Sequence, residues 1–443
     1  VAAALLAAGP IGCSQILGIE ELNDGPPDPA DAAVPADAPA SELFVDPEIG
    51  TNQDACSRTQ PCRTLGHALS RASAGQTIFL GSGTYSAGTG ETFDTSVPAG
   101  VTIEAMTPGG AMLLGDPSAG TAALNLQGDA TIRGLHVRGF YAAVTAFEGE
   151  VTLDSLEIEQ TSVGLVLQGP VQVLAQAVSF TGGGQAFQMA SAADLRLVGG
   201  TISDMGPNCA GGVGIGYLQD SAHVTFEGVT AQNNFGGLEL RQASSADLND
   251  STLINNGSDG CGRSTHIDLG ESASVRLMNT NVEQGPGAGI LALNDNQVTI
   301  MGGGFLGNGQ AEALNVSANY LEVRGTRFSG YVTAVRLGKG SILFRDAELT
   351  GNGVGIEFNA DEGGFLDLGS ADQPGNNAIR QNSSTGLVVR GAGGVVINAV
   401  GNTWNPGEQG ADPNGLMPPG TVLVGPVVGS NLQIDSPGPS IQF

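Results

Sequence analysis

Residues 222–244 read AHVTFEGVTAQNNFGGLELRQAS, and the same pattern returns at 296–318 as NQVTIMGGGFLGNGQAEALNVSA and at 340–362 as GSILFRDAELTGNGVGIEFNADE. Each unit has a short apolar alternation, a turn, a second short strand, another turn and a third alternation. A two-residue period marks strands with one buried face, and a unit of 20 to 30 residues repeated many times marks a solenoid. In the unit at 222, Val224 and Phe226 point inward on the first strand, Ala231 on the second, and Leu238 and Leu240 on the third. The equivalents are Val275, Leu277, Val282, Leu291 and Leu293, then Leu343 or Ile342, Phe344, Leu349, Ile356 and Phe358. Earlier units, 129–149 and 150–169, fit the same template. The expected fold is all-β: a right-handed, three-sided parallel β-helix in which each coil folds only against its neighbours.

Composition agrees with many short strands joined by tight turns: Gly 70, aromatic residues 5% and charged residues 14% exclude a coiled coil or helical bundle. Asparagine recurs three residues past the inward position of the middle strand, as Asn234, Asn256, Asn308, Asn352 and Asn382, which reads as a structural ladder at a corner. Both ends differ from the repeat. In TLGHALSRASAGQTIFLGSGTY (64–85), Leu65, Ala68, Leu69 and Ala72 have helical spacing, so a short amphipathic helix covers the N-terminal end of the core. After Trp404 the repeat gives way to Pro/Gly-rich turns, and VLVGPVVGSNLQI returns over the other end.

The first residues, VAAALLAAGPIGCSQ, have the apolar character of a signal peptide, and Ile11, Gly12, Cys13 and Ser14 resemble a bacterial lipobox, with Cys13 as the lipidated residue. Residues 23–41, NDGPPDPADAAVPADAPAS, cannot form a core and suit an extended tether. The expected organisation is a signal remnant at 1–13, a linker at 14–41, an N-terminal cap at 42–100, the β-helix at 101–404 and a C-terminal cap at 405–443. The expected location is exported: periplasm, outer membrane or cell surface of a bacterium. Four cysteines remain after Cys13, an even number that suits disulfides in an oxidising compartment. Cys56 and Cys62 close a small loop. Cys209 and Cys261, in two enlarged corners separated by one coil, form the second expected pair.

A net charge of -28 repels nucleic acid and anionic lipid, so nucleic acid is not an expected partner and a membrane is met only through the lipid anchor. Acidic polysaccharides would need bridging cations such as Ca²⁺.

The stretch LFVDPEIGTNQDACSRTQPCRTLGHALSRASAGQTIFLGSGTYSAGTGETFDTSVPAGVTIEA (43–105) resembles the DUF1565 segment that precedes right-handed β-helices of the pectin lyase-like superfamily in bacterial surface proteins. The resemblance implies this fold and leaves activity open, because the superfamily holds lyases, hydrolases, adhesins and other proteins. Polygalacturonase-like members carry Asn-x-Asp, Asp-Asp, Gly-His-Gly and Arg-x-Lys elements. Here Asp-Asp is missing, Gly66-His67 falls in the capping helix, and the sole lysine, Lys339, follows Arg336 at the wrong spacing.

The best polar constellation comes from register. Along the outward column of the third strands run Tyr217, Glu239, Asp268, Ala292, Asn315, Arg336 and Glu357, so Glu239 and Asp268 are neighbours, with Arg241 and His266 on the same face. Two adjacent carboxylates suit an acid/base pair or a Ca²⁺ ion, with Tyr217 and Arg241 as binding residues. The alternative is a solvated polar face with Arg241 as counter-ion. Asp247 and Arg276 read as a surface ion pair on the first strands. The enlarged corners GPNCAGGVGIG (206–216) and NGSDGCGRSTHID (256–268) frame the Glu239 face, where solenoids commonly bind. Two functions follow. One is a lipid-anchored, non-catalytic rod that binds or displays carbohydrate, or another cell-surface component. The other is a Ca²⁺-dependent polysaccharide lyase or glycoside hydrolase working at Glu239, Asp268 and His266.

Overall fold

The computed structural model describes residues 42–404, except 54, 207–213, 258–263, 360–361, 371 and 391–395, together with 432–434 and 440–442. Cys13, the linker, Cys209 and Cys261 lie outside the described residues.

Three parallel sheets run the length of the described chain, with 16, 14 and 13 strands, and successive coils contribute one strand to each. The sheet met first in each coil is called here the first sheet. The strands of three or four residues that follow next in each coil build the second, and the remaining strands the third. In the coil at 223 these are His223–Glu227, Thr230–Gln232 and Leu238–Leu240. Every inward side chain expected in that coil is buried, with Val224, Phe226, Ala231 and Leu240 at 0% exposure and Leu238 at 1%. Stacking like on like gives one continuous apolar column, in which each aliphatic contributes about 1.5 to 3 kcal/mol once neighbours cover it.

The coil at 290 departs from the expected phase. Ile290 and Ala292 face the core, whereas Leu291 is half-buried and Leu293 exposed. Four apolar residues in a row carry no alternation of their own, so the phase comes from the neighbouring coil, where Leu269 pairs with Ala292 and Asp268 with Leu291. At 342 the ambiguity resolves to Ile342, with Leu343 outward.

Stacking also extends beyond 101–404. Glu42–Val45 is the edge strand of the first sheet, Thr95–Val97 that of the third, and Leu432–Ile434 and Ser440–Gln442 continue those sheets at the far end. The short helix Leu65–Leu69 packs Leu65, Ala68 and Leu69 onto the first coil, with Ala72 beside the core. Thr64 caps it, and the buried Glu91 accepts the Leu65 and Gly66 N–H groups at 2.7 and 2.9 Å, a long-range cap that local sequence does not announce. Cys56 and Cys62 form a disulfide with a Cα separation of 4.5 Å.

The asparagine ladder is internal. Asn234 and Asn256 are buried, and Asn234 Nδ2 donates to Asn256 Oδ1 at 2.7 Å; Asn352 does the same to Asn382 at 3.2 Å. The left-handed residue at each of these corners is the one before: Asn233 (φ 55), Asn255 (φ 49) and Gly351 (φ 69). A second ladder, Asn377 to Asn402 at 2.8 Å, stands at the corner between the first and second sheets.

Candidate functional site

The third sheet brings Tyr217, Glu239 and Asp268 together, since Tyr217 pairs with Glu239 and Glu239 with Asp268 on successive coils. Leu291, not Ala292, continues the column. Arg241 lies across both carboxylates. Its Nη2 is 2.6 Å from Glu239 Oε1 and 2.9 Å from Asp268 Oδ2, and its Nη1 donates to the Leu240 and Asp268 carbonyls at 3.0 and 3.2 Å. Gly270 makes room for it, because a Cβ there would fall 2.4 Å from Arg241 Cδ. Tyr217 turns its hydroxyl along its own strand to Gln219 Oε1, 3.0 Å away.

This geometry bears on both chemistries considered from sequence. One guanidinium engages both carboxylates within the protein, whereas a general acid must turn its carboxyl toward the substrate. A Ca²⁺ ion on these two residues would compete with Arg241 for the same oxygens, so the donor set does not fit the ion. The polar face continues downstream as ion pairs: Arg336 meets Glu312 at 2.8 Å and Glu357 at 3.6 Å, and Arg390 meets Glu357 at 3.0 Å.

His266 does not join the outward face. It is 1% exposed, and its Nδ1 lies 3.4 Å from Asn256 Nδ2. The ladder position one coil on from Asn256 is Gly285, where a Cβ would fall 2.3 Å from His266 Nε2, so the imidazole fills the space of a missing ladder side chain. Burial pushes its pKa down to about 3, which keeps it neutral and removes it as a base for the Glu239 face. Strict alternation from Asp268 put it outward; the chain instead enters strand Ile267–Leu269 from an enlarged corner, where alternation does not apply.

Cys56, Cys62 and His67 bring potential metal-ligand atoms within 4.8 Å of one another, but both sulfurs are engaged in the disulfide. Lys339 Nζ lies 3.6 Å from Asp295 Oδ1 at an exposed corner.

The first sheet carries a feature that reading single coils missed. On its outer face is a groove of about 410 Å³ lined by Glu150, Gln172, Asp194, Arg196, His223 and Thr225 among others. Glu227 orients Arg196 with two bonds of 2.9 and 2.8 Å. His223 sits between two hydroxyls, Nδ1 2.7 Å from Ser245 Oγ and Nε2 3.1 Å from Thr225 Oγ1. Asp247 lies 4.0 Å from His223 Nε2, while the Arg276 guanidinium reaches Met278 Sδ at 2.7 Å, so the expected pairing of Asp247 with Arg276 gives way to Asp247 with His223. The outward column of the first strands carries Asp194, His223 and Ser245 on consecutive coils.

The sequence matches the family model of DUF1565, a protein of unknown function, over residues 48–152, and that of a right-handed beta helix region over residues 124–305. No curated protein matches it in sequence. Among solved structures it is similar to pectate lyase Pel9A, with TM-score 0.42 and 14% identity, covering 70% of this chain and 79% of that one. It is also similar to a PL6 alginate lyase solved with a trisaccharide, with TM-score 0.36 and 11% identity, covering 91% and 96% of the two chains. ORF18 of Geobacillus virus E2 follows with TM-score 0.33 and 11% identity, covering 82% and 59%. The two matched segments and the three-sheet parallel topology show a right-handed parallel β-helix that carries a DUF1565 segment at its N-terminal end.

Proposed function

We propose that this protein binds a hydroxyl-rich chain, a neutral carbohydrate, along the outer face of the first sheet, and that it does not cut the glycosidic bonds of that chain. The observation that carries the reading is the groove, which lines one concavity with carboxylates, a guanidinium, an amide, an imidazole and hydroxyls. Alternating donors and acceptors on a rigid sheet suit sugar hydroxyls, and no single charge dominates. The net charge of -28 disfavours a polyanionic chain. The engagement of both Glu239 and Asp268 by Arg241 supports binding without cleavage. The reading includes attachment at a bacterial surface through lipidated Cys13, with residues 14–41 as the tether.

The test is a panel of neutral and acidic glycans, with and without Ca²⁺, scored for both retention and product. The expected result is retention of neutral chains, weakened about tenfold or more by Asp194→Ala or Arg196→Ala, which is about 1.4 kcal/mol. Shortened or unsaturated products that disappear in Glu239→Ala would overturn it in favour of a lyase or hydrolase. Membrane fractionation of Cys13→Ala tests the anchor: the variant is expected in the soluble fraction, and its retention in the membrane sinks that part of the reading.

A further inference from the structure

We propose that Ser245, one coil beyond His223 at the end of the groove, is a nucleophile with His223 as its base, and that it removes ester-linked acyl groups from a chain lying along the first sheet. His223 and Ser245 are direct partners on successive coils, and Thr225 and Asp247 are partners two residues along, so all four side chains leave the same face. Ser245 Oγ lies 2.7 Å from His223 Nδ1, within reach for proton transfer. The other ring nitrogen faces Thr225 Oγ1 at 3.1 Å and the Asp247 carboxylate at 4.0 Å. A negative charge on that side favours the tautomer with its proton on Nε2, leaving Nδ1 bare to accept the Ser245 hydroxyl proton. These are the roles of nucleophile, base and orienting group, with Thr225 standing nearer the ring than the carboxylate does.

In the first step Ser245 Oγ bonds to the acyl carbon while its proton passes to His223. As the C–O bond to the sugar breaks, His223 returns that proton to the departing alcohol. Water then attacks the acyl-serine with His223 again as base, releasing a carboxylic acid and restoring Ser245. Arg196, one coil before Thr225 in the same column, lies two coils from Ser245 with its guanidinium held by Glu227, so it is placed to meet the bound chain and not the oxyanion. The backbone N–H groups of these strands are spent in the parallel ladder, so no backbone oxyanion hole exists here, and the site suits esters, whose alcohol leaves readily, over amides. The identity of the alcohol as a carbohydrate rests on the glycan reading above; the nucleophile does not.

A fluorophosphonate probe followed by peptide mass spectrometry, with hydrolysis of p-nitrophenyl acetate in parallel, decides the matter. The expected result is a label on Ser245, and a loss of turnover of a hundredfold or more in both Ser245→Ala and His223→Gln, with unchanged thermal melts. Asp247→Asn should lose about tenfold. An unlabelled Ser245, or turnover that survives Ser245→Ala but not His223→Gln, means simple imidazole catalysis and overturns the proposal. Glycan retention by Ser245→Ala is read separately: labelling without retention leaves the nucleophile and removes the carbohydrate, and retention without labelling does the reverse.

Discussion

Arg241 grips Asp268 at two points, Nη2 to the carboxylate at 2.9 Å and Nη1 to the main-chain carbonyl at 3.2 Å. Arg345 grips Asp367 in the same way, at 2.7 and 3.1 Å, on a different sheet. Each arginine also donates Nη1 to the carbonyl just before it, Leu240 or Phe344, so the clasp ties the end of one strand to the next coil. What distinguishes Arg241 is the second carboxylate, the nearly buried Glu239.

Arg241→Ala should therefore destabilise more than an exposed ion pair would, by about 2 kcal/mol, because Glu239 is left in a poorly solvated place. Adding Glu239→Gln should recover part of that loss, since the charge that suffers is removed with its partner. Urea midpoints of the two single variants and the double variant give the coupling. Additive losses would show that Arg241 acts by packing alone.

His266 makes stability depend on pH. Its pKa is about 3 in the folded chain and near the ordinary histidine value of 6.5 when unfolded, so below that value the unfolded state takes up a proton that the folded state refuses. Stability contributed by the neutral ring is full above pH 6.5 and is lost as pH falls toward 3, by at most about 1.4 kcal/mol per unit. By pH 5 the loss is about 2 kcal/mol. The difference in unfolding free energy between the wild type and His266→Gln, followed from pH 7.5 to 5, should shrink by that amount. A difference that stays flat with pH would place the ring in contact with water.

The coils were legible because the inward columns carry large aliphatic and aromatic residues that recur in register, as Val224, Phe226 and Leu240 do. The asparagine ladder was legible for the same reason. Placement of Glu239 and Asp268 side by side followed from register alone, and their clasp by Arg241 was the alternative already visible in the charges. Three things were not legible. The Ile290–Leu293 run has no polar residue to fix its phase. His266 turns inward into room left by the absence of a side chain at Gly285, a residue on another coil. The pairing of His223 with Ser245 spans two coils, so its signal is in the column and not in any contiguous motif.

In the sequence, Cys209 and Cys261 fall in the two lengthened inter-strand segments before and after the one that contains Asn233 and Asn234. We expect them to be joined, and non-reducing peptide mapping should recover one bridged peptide pair. The crosslink would stabilise the chain by about 4 kcal/mol through loop entropy. Cys56 and Cys62 are already paired with each other, so free thiols at 209 and 261 are the result that removes this bridge.

The phase of the coil at 290 can be read from two adjacent residues with opposite outcomes. Ala292 is fully buried and pairs with Leu269 inside the column, while Leu293 is 44% exposed on the outer surface. Placing a carboxylate at 292 strands it without a hydrogen-bonding partner among aliphatics, at a cost of several kcal/mol, and leaves no room for its extra atoms. At 293 the same carboxylate meets water and should change stability by no more than about 0.5 kcal/mol. Leu253→Asp, deep in the second-sheet column between Ala231 and Val282, should behave like Ala292→Asp and fail to fold. Thermal melts of the three variants decide the register: if Leu293→Asp unfolds and Ala292→Asp melts like the wild type, the coil is shifted by one residue and Leu291 and Leu293 belong in the core.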